Sequence, residues 1–154
     1  MAIKTNAGSV ISVSAGIPAT FDETGYAALT WTVVGNVENV PGRGREYVIT
    51  NFNPVTTRAT QKFKGSYDEQ DATLTVAYDP DDGGMVILKA GLNLDANYAF
   101  KIVDQGGDVT EYFSAQVTGI KRASGDVNAM RMVDVMLAIS SVGPNGTGII
   151  EVIA

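Results

Sequence analysis

The sequence predicts a mainly β protein, a β-sandwich or barrel of antiparallel strands flanked by one α-helix. Three observations carry that expectation. From Met132 to Ser141, Val133, Val135, Leu137 and Ile139 alternate with Met132, Asp134, Met136, Ala138 and Ser140, the period-two pattern of a half-buried strand. Short runs rich in Val, Ile, Thr, Tyr and Phe recur along the chain, separated by Gly, Asp, Asn or Pro, as in sandwiches and barrels. Helix signals are confined to one interval, Asp79–Leu92.

Taken in order, residues 1–8 read as a flexible N-terminal segment, followed by strands at Ser9–Val13, Ile17–Phe21 and Leu29–Val34. A polar, glycine-rich excursion comes next. It runs from Val37 through Glu38, Asn39, Val40, Gly42, Arg43 and Gly44 to Arg45, and is expected to be mobile in an isolated subunit because it cannot bury enough apolar surface. Further strands are expected at Glu46–Asn51, Arg58–Lys64 and Ala72–Tyr78. Asp79-Pro80-Asp81-Asp82 then supplies an N-cap, a proline at the first helical position and acidic residues beside the positive end of a helix. Met85, Leu88 and Leu92 recur at helical spacing, so a helix is placed at Pro80–Ala90, with Gly91 suited to end it. A strand at Asn97–Asp104 follows. Val109–Ile120 alternates again and pairs as a long hairpin with the Met132 strand, Ser124-Gly125-Asp126 lying in the turn. In that strand Thr110, Ser114, Gln116 and Thr118 are assigned to the outer, hydrophilic face. Gly148–Ile153 is the C-terminal strand.

With 154 residues, 45% of them hydrophobic, the chain is expected to form one domain, 1–154, able to bury on the order of 70% of its unfolded surface. There is no His and no Cys, which excludes histidine triads, thiol chemistry and cysteine or histidine metal sites. No catalytic residue, cofactor or metal is expected. The net charge of −6 argues against tight binding of a phosphate backbone. The first residues lack the basic start and unbroken apolar stretch of a signal peptide, so synthesis in a cytoplasm is expected.

The remaining motifs have simpler readings than chemistry. Asp79, Asp81 and Asp82 depart from a calcium loop, because Gly83 stands at the next acidic position and Ala90 at the closing one. Asp68, Glu69 and Asp71 crowd one turn without the separated roles that paired catalytic carboxylates need. Gly143-Pro144-Asn145-Gly146-Thr147-Gly148 has no following Lys-Ser or Lys-Thr for a phosphate cradle, and the Asn145-Gly146-Thr147 acceptor pattern has no secretory context. Arg43 and Arg45 lack interleaved aromatics, which leaves a protein contact or a solvated hairpin tip.

The order of parts resembles the phage tail tube proteins, or major tail proteins. It comprises LTWTVVGNVENV, the Gly-Arg loop into REYVITNF, FKGSYDEQDATLTVAYD, the acidic-capped helix, FKIVDQGGDVTEYFSAQVTGIKR and MVDVMLAISS. The resemblance covers almost the whole chain. It implies homohexameric rings stacked into a hollow virion tube through which DNA passes without tight binding, with tape measure, tail terminator and distal tail proteins as further partners. It also implies that Val37–Arg45 is the loop that reaches the neighbouring ring, where Arg43 and Arg45 meet acidic groups. The alternative is a monomeric carbohydrate-binding β-sandwich presenting Tyr47, Tyr67 or Tyr112.

Overall fold

The computed structural model describes residues 3–141, 143 and 146–154. The chain is mainly β: a curled antiparallel sheet forms a half-barrel, with one main helix packed against it. The strands are β1 Val10–Ser14, β2 Thr32–Val33, β3 Val37–Asn39, β4 Arg45–Phe52, β5 Gln61–Glu69, β6 Ala72–Ala77, β7 Tyr98–Val103, β8 Val109–Ala123, β9 Met132–Ser140 and β10 Ile150–Ile153. The helices are α1 Glu23–Ala27 and α2 Gly83–Leu92. The sheet runs β2-β1-β7-β8-β9-β6-β3, with β10 added to β8, while β4 and β5 form a separate two-stranded ribbon.

The core follows from side-chain period. Phe100 and Phe113 lie opposite each other in the β7–β8 register and stack at 5.4 Å, while Val13 is Phe100's neighbour on β1. Leu74 and Val76 face Val135 and Val133 across β6–β9, and all four are fully buried. Met85 and Leu88 of α2 join this cluster. The predicted hairpin is present: β8 and β9 pair from Ser114–Ser140 to Ala123–Met132, with a register shift at Val117–Gly119 that bends the longest strand. Its connection is residues 124–131, which contains Ser124-Gly125-Asp126 as expected.

Near its start β8 does not alternate, because both faces are covered. Tyr112 stacks on Tyr26 at 5.4 Å, and Phe21, Leu29, Trp31, Ile150 and Val152 close over them. Ser114 is therefore buried, bonded to the Tyr26 hydroxyl at 2.9 Å, and does not belong to a solvated outer face as its polarity suggests. The segment expected as strand Ile17–Phe21 instead leads into α1, whose N-cap Asp22 accepts from Gly25 N at 2.8 Å. A five-residue helix containing Gly and Thr has no intrinsic strength; burial of Tyr26 holds it.

Three other boundaries move. Of Leu29–Val34 only Thr32–Val33 is strand, since Trp31 turns to cover Tyr112 and donates its Nε1–H to Tyr26 O. The Arg58–Lys64 strand is displaced to Gln61–Glu69 by its pairing with β4. The helix begins at Gly83 and ends at Leu92, because Asp82, not Asp79, caps it. The Asp82 carboxylate accepts from Met85 N at 3.1 Å and from Gly35 N at 3.3 Å. That second bond matters to the curl. β2 and β3 are the two edges of the sheet, yet only Val34-Gly35-Asn36 separates them in the chain, so the edges are drawn together and Asp82 ties the link to the helix. Gly91 packs rather than terminates: a Cβ there would sit 2.8 Å from the Tyr98 ring, and one at Gly84 would sit 2.7 Å from Val34 Cα.

Candidate assembly surface

The β4–β5 ribbon is the feature that the fold leaves unexplained. Nearly every residue of it is exposed, including Val48, Ile49, Phe52 and Phe63, and Val55 at the connection is fully exposed. A two-stranded ribbon is marginal in water without packing, so something must hold its root and something else must cover its apolar side chains.

The root is held by arginines. Arg43 donates Nε and Nη2 to the two carboxylate oxygens of Glu111 on β8, both at 2.7 Å, and Nη1 to Pro41 O at 3.0 Å. The two side chains are only 14% and 17% exposed. Arg45 donates Nε to Glu69 Oε1 at 2.8 Å and lies over the Tyr67 ring at 3.9 Å, and the Glu69 hydrogen bond raises its pKa above the usual guanidinium value. Glu69 is 2% exposed and also accepts from Ser141 Oγ at 3.2 Å. Tyr67 Oη donates to Gly146 O at 3.0 Å, and Gln70 N to Gly44 O at 2.8 Å. A planar guanidinium meeting a carboxylate with two donors fixes direction as well as distance, so the ribbon leaves the sheet as a fixed arm.

This arrangement gives the Gly-Arg loop partners within its own subunit. Val37–Asn39 is edge strand β3, paired to β6, with Val37 and Val40 packed on the core and Glu38 and Asn39 exposed. Arg43 and Arg45 are paired inside the subunit, with Glu111 and Glu69. Of the acidic cluster, Glu69 is buried at the arm root while Asp68 is exposed on the opposite face of β5. The turn acids near α2 divide likewise: Asp82 caps the helix and Asp79 accepts from Asp81 N. Among the described residues no cluster of three or more His, Cys, Asp or Glu is arranged to hold a metal, and Asn145 lies outside the described residues.

No protein-family model matches the chain, and no curated protein matches it in sequence. Solved structures match its fold. One is a chain of the extended-state sheath/tube terminator of PVC, an extracellular contractile injection system, at 15% identity and TM-score 0.67, covering 99% of this chain and 98% of that one. A second, from the PVC sheath-tube complex in the extended state, gives 14% identity and TM-score 0.61 over 99% and 93%. A third is the SPP1 tail tube, at 12% identity and TM-score 0.64 over 95% and 77%. The chain has the tail-tube fold. Within that fold, Glu111 is the residue that sequence reasoning passed over, and Glu69, read only as part of a crowded acidic turn, is the buried partner of Arg45; the partners of Arg43 and Arg45 stand 68 and 24 positions away.

Proposed function

We propose that this chain is a structural subunit of a hollow tail tube, assembling with its own copies as stacked hexameric rings through which a viral genome passes. The observation that carries the reading is the arm: a rooted ribbon whose apolar side chains are left largely exposed among the described residues of its own subunit, on a fold shared with tube proteins. Exposed apolar surface on a fixed projection is an interface in search of its other half. In a closed, repeating assembly each arm is covered by a neighbour, and the edge strands β2 and β3 are shielded as well. The segment Val37–Arg45 comprises edge strand β3, the link 40–44 and the first residue of the arm, and belongs to the same contact region, its arginines aiming the arm rather than bridging subunits.

Genome passage fits the net charge of −6, which repeats with one sign around a ring and repels a phosphate backbone. Similar structures come from sheath-tube, baseplate and cap assemblies, and tail partners such as a tape measure, terminator and distal tail protein belong to the same reading. The carbohydrate-binding alternative loses support because Tyr112 is buried under Tyr26 and the Tyr67 face is taken by Arg45. Electron microscopy of the purified full chain tests the reading. Regular hollow tubes with sixfold cross-sections are expected, and a protein that remains monomeric to millimolar concentration would sink it.

A further inference from the structure

Two charged groups of opposite sign are left unmatched at opposite ends of the molecule. At one end, Tyr78 is surrounded by cations: Lys89 Nζ from α2 hydrogen-bonds its hydroxyl, and Lys89 Nζ, Arg122 Cζ and Arg131 Cζ lie 4.5, 4.3 and 5.8 Å from its ring centroid. Among the described residues the ion pairs are Lys4–Asp108, Arg43–Glu111 and Arg45–Glu69, so these three cations have no carboxylate within 4.0 Å. Together they hold the Tyr78 phenol below its ordinary pKa, the Lys89 hydrogen bond contributing most. The aromatic face gathers the cations, yet their mutual repulsion calls for an anion. Arg122 and Arg131 are exposed and Lys89 and Tyr78 half-buried, so one can reach them.

At the other end, Glu46 and Asp68 stand directly opposite each other across β4–β5 at the arm root, both exposed. Like charges opposed in this way destabilise a ribbon that is marginal already. No cation within 4.0 Å pairs with either among the described residues. The two groups cannot neutralise one another within a copy. Strand β9 runs from Met132, next to Arg131, to Ser140, and the following Ser141 touches Glu69 beside Asp68. Its eight residue steps separate the ends by about 27 Å, at roughly 3.4 Å each.

We propose that the Tyr78–Lys89–Arg122–Arg131 cluster of one copy receives the Glu46–Asp68 pair of the next, a head-to-tail contact between copies of this chain. The proposal rests on the tube reading and names the charges that set its register. Unmatched patches at opposite ends suit a heterologous contact, which repeats from copy to copy as a ring or a stack requires, whereas a twofold contact would have to make both pairings reciprocally in one interface and would close at a dimer. Opposed patches also steer encounter and reject misaligned pairings, and their effect weakens with salt.

Charge reversal in two complementary halves tests this. One full-length variant carries Glu46→Lys and Asp68→Lys, and the other Arg122→Glu and Arg131→Glu. Each alone presents like charges at the contact, and at least a tenfold rise in the concentration for half-assembly is expected, followed by light scattering. An equimolar mixture matches every contact again, with the two variants alternating, and should assemble near the wild-type concentration. Assembly of either variant alone at the wild-type concentration overturns the proposal, and so does a mixture that fails while both variants keep the wild-type circular dichroism and Tm. A measurement on the unaltered protein stands apart from variant folding. Carbodiimide coupling in assemblies mixed from nitrogen-14 and nitrogen-15 chains should join Lys89 of one copy to Glu46 or Asp68 of another. Assembled wild type without that mixed-isotope peptide overturns the contact and leaves the tube reading standing, whereas wild type that never assembles overturns both.

Discussion

Arg45 shows how far a residue's role depends on what lies across from it. On a glycine-flanked loop it reads as a surface charge whose loss the subunit tolerates; beside Glu69, 2% exposed, it neutralises a carboxylate withdrawn from water. Removing one partner of such a pair costs far more than a surface substitution, because the other charge stays buried and unpaired. Arg45→Glu is therefore expected to lower the Tm of the monomer by roughly 5–10 °C, where a solvated arginine would move it by a degree or two; differential scanning calorimetry decides. The tyrosines make a second residue-scale case. Burial raises the pKa of Tyr26 and Tyr112 above the ordinary 10.0, and the stacked pair is ionised only at a cost to the fold. Their contribution to stability is fully present below pH 10 and is lost as pH rises through their folded values. Tyr78, held down by the Lys89 hydrogen bond, ionises earlier and contributes in the opposite direction. Absorbance titration at 295 nm should show one early phenol, abolished by Tyr78→Phe, and a late phase coincident with loss of the Trp31 fluorescence signal. A late phase that precedes unfolding would contradict the buried pair.

At the scale of elements, α2 is fixed more by glycine than by helix propensity. Alanine favours an exposed helix over glycine by about 1 kcal/mol, yet Gly84 lies where a Cβ would meet Val34 Cα at 2.7 Å, against the link between the sheet edges. Gly84→Ala is expected to destabilise by about 1–3 kcal/mol through overpacking, read as a lower urea midpoint at unchanged slope; a stabilised variant would mean that α2 shifts freely on the sheet. The sequence carries the existence of α2 and the main strands plainly, since apolar period and turn residues reach the reader locally. β6, β7 and β9 fall close to where alternation puts them, and the β8–β9 hairpin is legible from the facing valines, leucine and isoleucine. What stays hidden is set by distant contacts. Asp79 and Asp82 are equally good caps until Gly35 supplies a second donor to Asp82, α1 exists because Tyr26 stacks on a residue 86 positions later, and Ser114 is buried because α1 covers it. The arm is the extreme case: its strands are legible at Glu46–Asn51 and Arg58–Lys64, but the exposure of their apolar residues satisfies no pattern within one subunit.

For the whole molecule, the consequence is a division of labour between a half-barrel that is complete in one copy and an arm that is not. The core residues lie on the large sheet, on α1 and α2 or on the link beside β2, and none comes from the distal arm. The arm root closes on itself through Arg45–Glu69, Glu46–Asp68 and Tyr47–Tyr67. Residues 48–66 can then be replaced by an Asn-Gly turn between Tyr47 and Tyr67, a connection suited to the right-handed twist of a hairpin. The shortened chain should keep the β-type circular dichroism of the parent and a Tm within a few degrees, since the residues removed are surface residues on a ribbon of low local stability. It retains Glu46 and Asp68, so the charged root is unaltered while Val48, Ile49, Phe52, Val55 and Phe63 are gone. If the apolar arm is what neighbours cover, this variant stays monomeric in sedimentation velocity at concentrations where the parent forms long assemblies. Assemblies of normal length from the shortened chain would show that the arm is dispensable, and a chain that no longer folds would show that the half-barrel is not complete without it.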